Sequence, residues 1–130
     1  MVKLQTLDHV AIIAKDPAAS LKWYMDVLGL DHVFKSQWDG VPIFAVTLEN
    51  NTGIAIFPAK TDDPKDKPEG DYLVVDHFAF RISGEDFVKA QEELKTKGVE
   101  IRVADHGVAK SIYMHDPDGH EVELTTYEVG

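Results

Sequence analysis

Two carboxylates, Glu121 and Glu123, follow an Asp116-Pro117-Asp118-Gly119 turn. Strand alternation puts both on one face, with Val122 and Leu124 on the other. The flanking runs, 111–115 and 121–126, make this stretch a β-hairpin. Acidic side chains on one strand face imply water or a cation there. Two imidazoles could share such a cation. His9 lies in Leu7-Asp8-His9-Val10-Ala11-Ile12 and His77 in Val75-Asp76-His77-Phe78-Ala79-Phe80, an echo at an offset of 68 residues. A lone histidine on such a strand is ordinarily a hydrogen-bonded structural residue. Two at matching positions of a repeat, together with Glu123, make a set of two neutral nitrogens and one carboxylate. That set suits a divalent transition metal and leaves coordination positions for water, oxygen or substrate. Glu121, one strand period earlier, is the fallback ligand and is otherwise read as a solvated carboxylate.

The elements that must position these groups repeat as well. A strand over 7–13 is followed by a helix with Asp16 as N-cap, Pro17 at its first position and Gly29 at its C-terminus. Strands follow at 31–38, 41–49 and 53–58. After the polar, proline-bearing stretch 61–71 the order recurs: strand 75–80, helix 85–97 closed by Gly98, then strands 99–104, 111–115 and 121–126. The fold class is α+β, with two βαβββ modules whose strands, curled together, can leave a concave face open to a ligand. Module 1 covers about 4–58, a linker 59–72 and module 2 about 73–127, within a single domain, 1–130. The first module's counterpart of Glu123 falls at Ala55, Ile56 or Phe57, depending on the gap placed. None of these can ligate, so the site has three protein ligands rather than four.

Composition bounds the rest. A chain of 130 residues with 44% hydrophobic side chains has enough material for a core. The 23 acidic and 13 basic residues leave a formal charge of −10, which argues against nucleic acid and anionic membranes as partners. There is no cysteine and no apolar run of membrane-spanning length. A cytoplasmic protein with a small-molecule substrate is the expectation.

Over nearly its whole length the chain resembles the vicinal oxygen chelate superfamily, which spans glyoxalase I, fosfomycin thiol transferases, extradiol dioxygenases and bleomycin-binding proteins. The segments that carry the likeness are Leu7-Asp8-His9-Val10-Ala11, Ala19-Ser20-Leu21-Lys22-Trp23-Tyr24 with Val27-Leu28-Gly29-Leu30, Asp76-His77-Phe78-Ala79-Phe80, and the turn leading to Glu123. The resemblance implies paired βαβββ modules forming a cupped mixed sheet around a divalent metal, often in a homodimer, with His9, His77 and Glu123 as ligands. Glyoxalase I adds a glutamate in the first module's last strand, which Ala55-Ile56-Phe57 lacks. Metal-free bleomycin-binding proteins lack the triad that is present here.

Extradiol dioxygenases and fosfomycin thiol transferases both keep His, His and Glu. The stretch Asp105-His106-Gly107-Val108-Ala109-Lys110-Ser111-Ile112-Tyr113 is similar to the segment before the hairpin in small dioxygenase-like members. That likeness implies that His106 and Tyr113 handle substrate protons, as an imidazole of near-neutral pKa and a phenol can. The first expectation is therefore a dioxygenase-like enzyme that cleaves a catechol-like substrate, with Fe(II) favoured over Mn(II), Zn(II), Ni(II) or Co(II). The alternatives are a glyoxalase-like lyase, a fosfomycin-type thiol transferase, in which Ser111 and Tyr113 would lie near the phosphonate, and a non-catalytic small-molecule-binding protein. Among the remaining residues, Trp38, Phe44, Phe57 and Phe78 could line an aromatic-accepting pocket or simply fill the core. Arg81 is expected to pair with a surface carboxylate. His115 and His120 read as surface residues facing away from Glu123, and the 61–71 loop as a lid or a plain connector.

Overall fold

The computed structural model describes residues 1–130 and divides the chain into two compact units, Met1–Lys65 and Asp66–Gly130. The first runs β1 (His9–Ala14), α1 (Pro17–Leu28), β2 (Asp31–Val33), a 3-10 turn (Trp38–Gly40), β3 (Ile43–Val46) and β4 (Gly53–Pro58). The second runs β5 (Phe78–Arg81), α2 (Gly84–Thr96), β6 (Arg102–Asp105), β7 (Lys110–His115) and β8 (Glu121–Thr126). Each unit is one four-stranded mixed sheet with a helix against it, in orders β1-β4-β3-β2 and β5-β8-β7-β6. In both, the first strand pairs parallel with the last and the other neighbours are antiparallel. This is the βαβββ unit, twice.

The helices form where local chemistry caps them. The Ala19 N–H donates to Asp16 Oδ1 (3.1 Å), and Gly29 closes α1 at φ 70°, a left-handed conformation that costs glycine little. Ser83 caps α2 by accepting from the Asp86 N–H (3.0 Å), with Glu85 and Asp86 in the first turn and Lys95 in the last, as the helix dipole favours. Tyr24 of α1 and Phe87 and Leu94 of α2 are buried. They meet sheet faces built from Ile12, Ala14, Ile43, Ile54 and Ile56 in the first unit and Ile112, Met114, Val122 and Leu124 in the second. Ile112 is 0% exposed. Ile112→Ala is expected to destabilise the protein by about 2–5 kcal/mol, since it leaves a cavity under α2. Val103→Ala, at a half-exposed position, should stay within about 0.5 kcal/mol. Denaturant midpoints of the two variants check the contrast.

Several strands are shorter than expected: β2, β3 (43–46 against 41–49), β5 and β6 (102–105 against 99–104). β2 stops at Val33 because Phe34, Trp38 and Asp39 take positive φ (56°, 51° and 54°) and the chain turns, with the Gln37 N–H donating to the Phe34 carbonyl. The rings of Phe34 and Trp38 instead pack on Phe44. β5 begins at Phe78 rather than at 75, because its one neighbour, β8, begins only at Glu121. His77 thus sits one residue before the ladder. At the start of the first unit's parallel pair, a Cβ on Gly53 would collide with the Ala45 carbonyl oxygen. Glycine there lets β3 and β4 close up, and its N–H donates to the Asp8 carbonyl (3.2 Å), fixing the residue before His9.

Candidate metal centre

Register decides which side chains share a face. Across the second sheet Arg102, Tyr113, Glu123 and Ala79 form one row. Strand alternation adds His77, Arg81, Glu121, Thr125, Ser111 and His115 to the same face. The apolar side chains Ile112, Met114, Val122 and Leu124 take the opposite face. One sheet face of the second unit is therefore almost wholly polar.

Glu123 and His77 meet on it. His77 Nε2 lies 2.9 Å from Glu123 Oε1, and Glu123 is only 8% exposed. The other ring nitrogen, Nδ1, donates to Asp76 Oδ2 (2.8 Å). His9 of the first unit repeats this arrangement: its Nδ1 donates to Asp8 Oδ2 (2.7 Å). An ionised carboxylate only accepts, so Nδ1 carries a proton, and a neutral ring would leave Nε2 free to ligate. This carboxylate–imidazole pairing is what orients metal-binding histidines. In the sequence, the only signal for Asp8 and Asp76 is the repeated Asp-His dipeptide.

The donor set also fits a cation by spacing. Two ligand atoms about 2.1 Å from one divalent ion and at right angles stand about 3.0 Å apart. The His77–Glu123 separation is 2.9 Å. Without a cation, a proton must do the same work between the two groups. The hydrogen bond to Asp76 raises the His77 pKa above its ordinary 6.5, with the charges of Glu123, Asp76 and Glu121 adding to the effect against desolvation. The same bond lowers the Asp76 carboxyl below its usual 3.8. For His77 the sign follows directly. In the metal-free protein its contribution to stability is complete below pH 6.5 and is lost as pH rises through the raised value. Denaturation midpoints of metal-free protein should therefore fall as pH rises above 6.5, and His77→Gln should remove that component.

The register also fixes the first unit's counterpart of Glu123. Ala11 pairs with Ala55 as Ala79 pairs with Glu123, so the matching position is Ala55. By the same register Phe44 answers to Tyr113. Each ring meets its unit's histidine edge-on, Phe44 with His9 at 5.2 Å and Tyr113 with His77 at 5.8 Å. The repeat has kept the geometry and changed the chemistry.

His106 and Tyr113 are also brought together, with Nε2 and the phenol oxygen 3.0 Å apart. The tight β6–β7 turn does this: the His106 N–H donates to the Ala109 carbonyl, and Gly107 takes φ 82°. Arg102 covers the Tyr113 ring, its guanidinium 4.2 Å from the centroid. In the first unit, Phe34, Trp38 and Phe44 form a ring cluster with centroids 5.5–5.9 Å apart that reaches His9. Phe34 is 58% and Trp38 53% exposed, so this cluster is not core.

Several expectations are corrected. Phe78 shares a face with Phe80 and Val122, opposite to the face that carries His77 and Glu123. Arg81 lies over the Tyr127 ring (4.7 Å) rather than against a carboxylate. His115 does not face away from Glu123: it pairs with Glu121 two residues beyond the Tyr113–Glu123 pair, so alternation puts it on the same face. Glu121 itself lies 3.6 Å from Arg102. Asp116, Asp118 and His120 bring potential ligand atoms within 4.8 Å of one another. Asp116 Oδ1, however, accepts from the backbone N–H groups of Asp118 and His120 (both 2.9 Å), which makes it the brace of the hairpin turn.

No helix is long and apolar enough to cross a membrane. A profile of the Glyoxalase/Bleomycin resistance protein/Dioxygenase superfamily matches residues 6–124. The chain is 34% identical over 120 residues, 91% of its length, to biphenyl-2,3-diol 1,2-dioxygenase 3 of Rhodococcus globerulus, but spans only 61% of that protein. It is 30% identical over 128 residues to metallothiol transferase FosB of Staphylococcus epidermidis, covering 96% of this chain and 84% of that one. Among solved structures, a glyoxalase/dioxygenase from Nostoc punctiforme superposes with a TM-score of 0.74 at 22% identity, covering 95% of this chain and 91% of that one.

Proposed function

The chain belongs to the Glyoxalase/Bleomycin resistance protein/Dioxygenase superfamily, and from that premise we propose that it is a divalent-metal enzyme that opens the ring of an aromatic vicinal diol with dioxygen. Its metal, Fe(II) by preference, would be held by His9, His77 and Glu123, as the family resemblance implies. The observation that carries this reading is the polar face of the second unit. There His77 Nε2 and Glu123 Oε1 stand at ligand spacing, with Tyr113 and His106 beside them.

When bound, the metal would supply a Lewis acid with coordination positions left open by the protein. The side chains do the rest. Asp8 and Asp76 hold the two imidazoles with Nε2 exposed. His106 accepts a proton from the diol, an imidazole being able to do so near neutrality. The Tyr113 hydroxyl, 3.0 Å from His106 Nε2, hydrogen-bonds the oxygen that has lost it and passes protons to and from that ring. Phe34, Trp38 and Phe44 offer aromatic surface beside His9 for an apolar substituent of the substrate. Ala55, where a fourth ligand would have to stand, weighs against a glyoxalase-like lyase. The chain acts as a homodimer, as the family resemblance implies.

A second reading is metal-dependent transfer of a thiol to an epoxide. It is favoured by one observation: the chain matches 84% of the length of the metallothiol transferase and 61% of that of the dioxygenase. The two readings separate in one assay of anaerobically purified, iron- or manganese-loaded protein. Oxygen uptake with catechol and 3-phenylcatechol supports ring opening. Loss of thiol with an epoxide phosphonate, without oxygen uptake, replaces it with the transferase. Ligand binding that survives chelation, with no turnover of either pair, leaves a binding protein.

A further inference from the structure

Glu123 is gripped from both sides, and the second grip comes from a residue that the reading above leaves without a role. Ser111 Oγ donates to Glu123 Oε2 at 2.6 Å, and Ser111 is 0% exposed. It stands on β7 two residues before Tyr113, diagonal to Glu123 across the β7–β8 ladder and directly opposite Thr125. Thr125 Oγ1 is 3.2 Å from the same hydroxyl. A serine hydroxyl has one proton to give. The bond to an ionised carboxylate is the shorter of the two contacts and, being charge-assisted, the stronger. In a buried setting the carboxylate also needs that donor, since an oxygen left unsatisfied there carries a desolvation penalty.

We propose that Ser111 is a positioning residue for the metal centre: by holding Glu123 Oε2 it makes Glu123 a one-oxygen ligand that ligates through Oε1, on the His77 side. The proposal rests on the metal-centre reading above and deepens it. A carboxylate that binds through one oxygen fills one coordination position, whereas one that binds through both fills two. A substrate offering two neighbouring oxygens needs the position that the second carboxylate oxygen would take. The repeat carries the same logic. Ser111 and Glu123 answer in the first unit to Pro42 and Ala55, so the hydroxyl is absent where the carboxylate is absent.

The test compares the wild type with Ser111→Ala and with Thr125→Val, which removes the other hydroxyl near Ser111 and leaves Glu123 untouched. In metal-free, 15N-labelled protein the Nε2 resonance of His77 reports its contact with Glu123 Oε1. It should move in Ser111→Ala and hold in Thr125→Val. In protein loaded with Co(II), Ser111→Ala should weaken metal binding about 10–100-fold, the usual effect of removing a group that orients a ligand. Acetohydroxamate, a two-oxygen chelator, should bind the Co(II)-loaded variant at least about tenfold more weakly, and the Co(II) absorption spectrum should change as the coordination number rises. Thr125→Val should leave both affinities within about twofold, because it removes only the second, longer acceptor for the Ser111 proton and leaves the bond to Glu123 Oε2 in place. Ser111→Cys, which keeps the volume but offers a weak donor, carries the same expectation if the alanine variant does not fold. An unmoved His77 resonance in a folded Ser111 variant, or unchanged Co(II) and hydroxamate affinities, overturns the proposal. A wild type that takes up no Co(II) overturns the metal-centre reading instead, and the metal-free resonance still decides whether Ser111 sets the pose of Glu123.

Discussion

His77→Ala should leave the protein folded and without its metal. The wild type, purified anaerobically, is expected to carry about one iron per chain, and the variant to carry none under the same conditions. The effect should exceed the roughly 10–100-fold loss typical when only an orienting neighbour of a ligand is removed. It is large because His77 does two things at once. Its Nε2 stands at ligand spacing from Glu123 Oε1, and its Nδ1 is tied to Asp76, so its loss takes away a donor and the partner that faces Glu123. The fold should survive because His77 precedes β5 and is exposed, while the strands around it are held by Ile112, Met114 and Val122. Elemental analysis of both proteins with a far-ultraviolet CD spectrum makes the measurement. Manganese in the wild type would move the function to the thiol-transferase reading. A metal-free wild type, even after reconstitution, would sink the metalloenzyme.

His106→Ala and Tyr113→Phe should each lower turnover by about 10²–10⁴-fold, the range for a positioned proton-transfer group, while metal content stays at the wild-type level. The pair share one hydrogen bond of 3.0 Å, so the double variant should be little worse than the worse single one. Tyr113→Phe keeps the ring that meets His77 edge-on and that Arg102 covers. Its loss of activity would therefore report the hydroxyl rather than packing. Oxygen-uptake rates on metal-quantified samples check this. Normal turnover in both variants would remove them from the chemistry and leave the Glu123 face as a metal site only.

Much of this was legible in the chain because it depended on local signals. Asp16, Pro17 and Gly29 bound α1 at the residues where capping chemistry puts its ends, and β4 and β8 occupy the spans that alternation and flanking turns set. The local signals misled where a distant ring competed with the strand. Phe34 and Trp38 alternate as a strand should, yet packing on Phe44 takes them out of it into left-handed turns. His115 lies on the Glu123 face for a related reason: on which face a residue lies depends on the register across β7 and β8, which the hairpin's own turn residues do not reveal.

By itself the sequence determined the doubled βαβββ order, the pairing of His9 with His77 as equivalents, and Glu123 as the odd carboxylate of the repeat. Those follow from periodicity, capping and self-similarity, all written within a few residues of each position. Only the tertiary structure decided that Ala55 is the silent counterpart of Glu123, that His106 reaches Tyr113, that Asp8 and Asp76 set the imidazoles, and that Ser111 holds Glu123. The strand-to-strand contacts depend on register between strands remote along the chain, and a slip of one residue would turn every side chain to the other face. The Asp–His bonds depend on side-chain rotamers, which the dipeptide permits and the folded backbone selects.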